Sequence, residues 1–195
     1  MSRAKGRVAA STILDFTLSY PVTLPPDISL GGILRTAESN GRSVLGMVEN
    51  INIGADPFAA RMLARDVPDA VLADLQQRQG NVLVRCLVIG YEQDGVYYRV
   101  VSPQPPAMGT KAEPLESEMF LDFCKEPHYL TAVFGATLTI PLAQLIAAHC
   151  LIVQSAQDGA DSTVLLDIMS LVGETFKRQP ETFAAIENAL VAAGF

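Results

Sequence analysis

Tryptophan is absent from this 195-residue chain, histidine occurs twice, cysteine three times, and 14 basic residues face 21 acidic ones. Each shortage narrows what the protein can do. Zinc centres need thiolates and imidazoles that converge, usually as close sequence pairs. No C-x-x-C or H-x-x-x-H occurs and Pro127 disturbs the Cys124–His128 spacing, so no metal site is expected. Cys86, Cys124 and Cys150 are widely spaced in apolar surroundings, a pattern of buried thiols in a reducing compartment rather than of a disulfide framework. Nucleophilic catalysis requires a Ser or Cys held against a base and an orienting acid. There is no G-x-S-x-G, and on the strand expected at Cys150 the adjacent His149 would point to the opposite face. A net charge of −7 and a pI near 4.8 oppose autonomous binding to DNA or RNA, which relies on cations that neutralise phosphates. Arg3, Lys5 and Arg7 form a short basic cluster, read as a solvated arm. No apolar run approaches the ~18 residues that span a bilayer, and the first residues lack the apolar core of a signal peptide. A cytoplasmic protein without a cofactor is the expectation.

What is plentiful is apolar residue content, 49% of the chain, with a mean hydropathy of +0.27. Most of it is Ala, Val and Leu in amphipathic segments, which fits either the hidden surface of an oligomer or a tightly packed monomer. Period-two patterning from Thr12 to Leu24, and again over Ser43–Ile53 with Gly46 as a bulge, predicts strands. Strands are also expected over Val82–Glu92 and Val96–Val101, joined by a turn at Gln93-Asp94-Gly95. Between them, residues 56–79 carry a helical pattern with Phe58, Met62 and Leu63, restarted by Pro68. Ser102 to Gly109 reads as an ordered Pro-rich crossing loop. Leu115–Lys125 predicts a helix with Phe120 and Phe123 on one side, stopped by Pro127. The carboxylates Glu113, Glu116, Glu118 and Asp122 complement its dipole or solvate a face. Residues 133–140 read as a hairpin-like unit about Gly135-Ala136, and a helical turn from Pro141 leads into a buried strand over Cys150–Val153. Two helices close the chain, one capped by Asp161 or Ser162 with an apolar face of Val164, Leu165, Ile168, Met169, Val172 and Phe176, and one starting at Pro180.

The stretch from Leu145 to Leu166 has the frame of a nucleotide-binding strand, loop and helix. In a phosphate loop, G-x-x-x-x-G-K-[ST], glycines let backbone N–H groups wrap phosphate and the Lys supplies charge. Here Ser155 stands at the first Gly, Ala160 at the second, Asp161 at the Lys and Ser162 at the hydroxyl. Like charges ~4 Å apart repel by about 4 kcal/mol at a surface-like dielectric, so Asp161, with Asp158 beside it, removes the affinity the frame would otherwise provide. ATP binding is not expected of these residues, and no residue is assigned a catalytic role.

Gly41-Arg42-Ser43-Val44-Leu45-Gly46-Met47-Val48-Glu49, the strand Val84 to Gly90, and the passage Pro103 to Gly109 resemble the small barrel, the HAS barrel, of HerA-type DNA translocase ATPases related to the FtsK family. Thr139-Ile140-Pro141-Leu142 and Leu145 to His149 are similar to that family's approach to its phosphate loop. The resemblance covers roughly residues 10 to 175. It implies an α+β chain: a barrel-like domain over residues 10–112 with the helical insertion at 56–79, then a truncated α/β remnant over 113–195. It departs from the family in its degenerate loop, and only some thirty residues follow that loop, so a later magnesium-binding acidic motif and an arginine finger are not expected. The implied function is a non-catalytic assembly or adaptor module, forming a homo-oligomer or joining a HerA-like ATPase or a NurA-like nuclease. Two rival readings stay open: a small-ligand or nucleoside-binding protein or enzyme with an altered loop, and a structural barrel unrelated to motors.

Overall fold

The computed structural model describes residues 6–20, 27–37, 41–53, 82–157 and 163–195. The helical insertion expected at 56–79 lies outside them, as do Ala160, Asp161 and Ser162. Among the described residues seven strands occur in the order β1 (Gly6–Ser11), β2 (Asp15–Tyr20), β3 (Ile33–Thr36), β4 (Arg42–Ile53), β5 (Val82–Gln93), β6 (Val96–Tyr98) and β7 (Lys111–Pro114). Helices follow: α1 (Ser117–Cys124), a 3-10 turn (Pro127–Tyr129), α2 (Leu130–Phe134), α3 (Leu142–Ala156), α4 (Thr163–Phe176) and α5 (Pro180–Ala193). The expected α+β class holds.

The strands run β2-β1-β7-β3-β4-β5, and β5 pairs back onto β2, which closes a six-stranded antiparallel barrel with β6 added outside β5. Closure removes the unpaired edges on which open sheets aggregate. Alternate side chains fill the interior: Val8, Phe16, Leu18, Tyr20, Leu34, Val44, Val48, Val84, Cys86 and Val88. The other face of β3, β4 and β5 presents Ile33, Leu45, Met47, Leu87 and Ile89 to the helices, where they join Phe123, Tyr129, Leu130, Leu145 and Ile146 in a second core. That double duty shows in the burial pattern. Residues Val82–Arg85 alternate between buried and more open, as a one-sided strand does, whereas Cys86–Gly90 and Val44–Glu49 are buried without a break.

The hairpin joining β5 to β6 turns through Asp94 and Gly95, both at positive φ, the geometry that matches strand twist. The register of β4 on β5 slips at two places. At Leu45–Gly46, the bulge expected from Gly46, the extra residue is Ile89 on β5; between Val48 and Asn50 it is Glu49 on β4. Gly46 has no room for a side chain, since a Cβ would lie 2.4 Å from the Phe16 ring. The Pro-rich passage seals the barrel along β1: Gly109 N–H donates to Val8 O, Val8 N–H donates to Thr110 O, and Ser11 Oγ donates to Pro106 O. Arg7, part of the expected solvated arm, is exposed on β1 and donates to Gly109 O at 2.8 Å.

Three expectations fail. Val133 and Phe134 belong to α2 rather than to a hairpin. Cys150–Val153 is the middle of the 15-residue helix α3, not a strand. Its apolar run is explained by burial on several sides, with Leu145, Ile146, Ala147, Cys150 and Val153 all inside. The third is the expected α/β character: after β7, the described residues hold helices only. Among the described residues no helix is long and apolar enough to cross a membrane.

The loop before β3 approaches α3 so closely that a Cβ on Gly31, at φ +79°, would sit 2.6 Å from the His149 backbone nitrogen. Gly31→Ala is therefore expected to cost about 3 kcal/mol, adding the left-handed backbone penalty to overpacking. Urea unfolding checks this, and a loss below about 1 kcal/mol would mean that the helix and loop part without difficulty.

Candidate functional site

Of the residues in the degenerate loop frame, Ser155 is described. It is exposed near the C-terminal end of α3, and its Oγ donates to Ile152 O at 2.9 Å. It borders a cavity of about 190 Å³ with Asp27, Ser29, Ser117 and Phe120. Phosphate sites use helix N-termini, where N–H groups and the positive dipole end converge, whereas a C-terminal turn presents carbonyls and partial negative charge. Ser155 is thus entered from a helix, and at the wrong end of it for an anion. Magnesium-ATP at millimolar concentration is expected to produce no saturable shift in thermal unfolding. Saturation in the micromolar range would overturn that expectation.

The two histidines separate as far as burial allows. His128 is exposed, while His149 is fully buried on α3. Its Nδ1 lies 2.7 Å from Gly31 O and its Nε2 2.7 Å from the Tyr129 hydroxyl. A carbonyl oxygen only accepts, so Nδ1 carries the proton, and Nε2 of the neutral ring accepts from Tyr129. Burial pulls the His149 pKa down to about 4, with the Gly31 carbonyl working the other way. His149 is a satisfied core histidine, and it ties α3 to the β3 entry loop and the 3-10 turn. Both of its nitrogens are committed. The cysteines are equally occupied: burial raises Cys124 and Cys150 to about 12 and Cys86 further. Thiols held so far from thiolate are poor nucleophiles at neutral pH. Among the described residues no group of three His, Cys, Asp or Glu side chains could hold a metal ion.

The strongest polar constellation lies where the barrel wall meets the helices, and the sequence reading missed it. Glu49 is wholly buried. Arg85 Nη1 donates to its Oε2 at 3.0 Å, while its Oε1 accepts from both the backbone N–H and the Oγ1 of Thr139. Arg85 also grips Asp15, with Nη2 at 2.8 Å and Nε at 3.2 Å from Oδ2. Thr12 Oγ1 donates to Asp15 Oδ1 at 2.7 Å, and this bond, followed by Arg85, lowers the Asp15 pKa. The Asp15 hydrogen bond in turn raises that of Arg85. The bulge explains the placement. As the extra residue of β4, Glu49 is re-aimed out of the ladder towards the α2–α3 connection. A carboxylate amid V-L-G-M-V-E-N on one strand and an Arg amid V-L-V-R-C-L-V on its partner were the available signal.

Beside this network a cavity of about 380 Å³ opens between Thr12, Asp15, Arg85, Gly135, Ala136 and Thr137. Chemically the arrangement is a clamp. The three charged groups answer one another, and Glu49 spends its second oxygen on the backbone of the helical layer. No protein-family model and no curated protein matches this chain.

Proposed function

We propose that this protein is a non-catalytic assembly or adaptor module whose closed barrel is the docking body, serving a HerA-like DNA-processing system. It would form a homo-oligomer or sit beside a HerA-like ATPase or a NurA-type nuclease. The observation that carries the reading is the commitment of the groups that chemistry would need. His149, Cys86, Cys124, Cys150, Glu49 and Arg85 are each buried or engaged in bonds that hold the barrel to the helices. Among the described residues the closed barrel leaves a sheet edge only at β6, and so supplies a stiff surface. The class of partner comes from the resemblance of residues 41–49, 84–90 and 103–109 to the HAS barrel.

Light scattering of the full chain, alone and mixed with a HerA-type ATPase or a NurA-type nuclease, tests this. A self-associated species or a co-eluting complex is expected. A monodisperse monomer of 20.9 kDa at high concentration, inert to both partners, would remove the support for an assembly role.

A further inference from the structure

The helical layer carries a second surface, separate from the barrel. At the end of the α4–α5 pair remote from its connecting turn, the two helices leave a groove of about 240 Å³ whose lining includes Cys150, Leu165, Met169, Glu187, Val191 and Phe195. Leu165 and Met169 are one turn apart on α4, as are Glu187 and Val191 on α5, so each helix offers a row to the groove. Val191 is 70% exposed and Phe195 41%. Large apolar side chains left this open in one place mark an interaction surface rather than a core.

Charge identifies the occupant. No Lys or Arg occurs between Lys125 and Lys177, and residues 126–195 hold seven carboxylates against Lys177 and Arg178 alone. Those two cations flank the α4–α5 turn, the opposite end from the groove. Glu187 is thus a carboxylate set in an apolar trough, and no basic residue among the described residues lines that trough. An anionic lipid surface or an acidic partner would be repelled. We infer that the groove docks an amphipathic helix of a partner protein that inserts one or two apolar side chains beside Met169 and places a Lys or Arg against Glu187. Methionine adapts its shape to such guests, and the rows one turn apart suit a helix laid in a groove. This holds whether or not the barrel assembles as proposed above.

The absence of tryptophan gives a clean probe. A synthetic helix-forming peptide with Leu and a single Trp on one face and Lys on the other is titrated against the full-length protein, with a Glu-for-Lys version of the same peptide alongside. Saturable binding with blue-shifted Trp emission is expected for the Lys peptide, and none for the Glu peptide. Glu187→Lys should weaken binding at least tenfold, Val191→Asp should abolish the emission shift, and Glu181→Lys, an exposed charge at the turn end of α5, should change affinity less than twofold. All three sites are exposed, so unchanged circular dichroism is the folding control. Equal weakening by Glu187→Lys and Glu181→Lys would mean diffuse attraction to an acidic protein and would overturn the inference. So would the absence of saturable binding, or a concentration-dependent dimer that Val191→Asp dissolves, since a second copy would then own the groove.

Discussion

Glu49→Ala is expected to lower the stability by about 3–5 kcal/mol, the range for removing one partner of a buried ion pair. The loss combines several effects. Arg85 would keep Asp15 as a partner but lose its inner carboxylate, and the Thr139 N–H and hydroxyl would be left without their acceptor. A buried donor without a partner costs roughly 1–3 kcal/mol on its own. Glu49→Gln separates charge from hydrogen bonding, since its amide oxygen still accepts from Thr139 while its neutral head no longer balances Arg85. It should therefore fall between wild type and alanine. Asp15→Asn, at a side chain 28% exposed, should cost less than either. Equilibrium unfolding in urea measures all three, and an alanine variant within about 1 kcal/mol of wild type would mean that water replaces the carboxylate without penalty.

The second large effect is a pH dependence with a defined window. His149 is neutral in the fold, with a pKa of about 4 against 6.5 when free. Between those values the unfolded chain binds the proton and the folded one does not. The stability this represents is fully present above pH 6.5 and is lost progressively as the pH falls towards 4. Its full size is about 3 kcal/mol. Asp15 acts in the same direction but lower down, because its folded pKa lies below the ordinary 3.8; its contribution is lost only as the pH falls beneath that value. Unfolding free energy measured from pH 8 to pH 4 should be flat and then decline. His149→Gln should be less stable at pH 7 yet lose most of that slope. A slope unchanged in the variant would assign the titration to other groups.

The sequence showed the parts of the fold that local chemistry alone decides. Asp94-Gly95 forces a tight hairpin, Pro127 ends α1, and the apolar rows of α4 and α5 repeat at helical spacing. Gly46 signalled a bulge because its neighbours form an unbroken apolar strand. What stayed hidden depends on distant partners. β1 and β7 contribute Val8 and Ala112 to the barrel core, too little apolar material to announce a strand, and they exist because the barrel needs them to close. Cys150-Leu151-Ile152-Val153 has the composition of a buried strand, and only its continuation back to Leu142 identifies a helix. The clamp was hidden for a related reason: Glu49 and Arg85 meet through a register slip that no spacing rule reveals. Whether His149 sits in the core or at the surface was open from the sequence, because its two partners lie 20 and 118 residues away.

One wall, the β4–β5 ribbon, serves two rooms. Because Val44–Glu49 and Cys86–Gly90 are lined on both sides, neither the barrel nor the helical layer owns them, and neither half is a self-sufficient folding unit. A fragment ending after β7 would present Leu45, Met47, Leu87 and Ile89 to water and leave the Glu49 carboxylate without Thr139. A fragment holding only the helices would lose the floor on which Phe123, Tyr129 and Leu145 rest. Melting should therefore be a single cooperative event for the whole molecule, and a change on one side of the ribbon will be felt on the other.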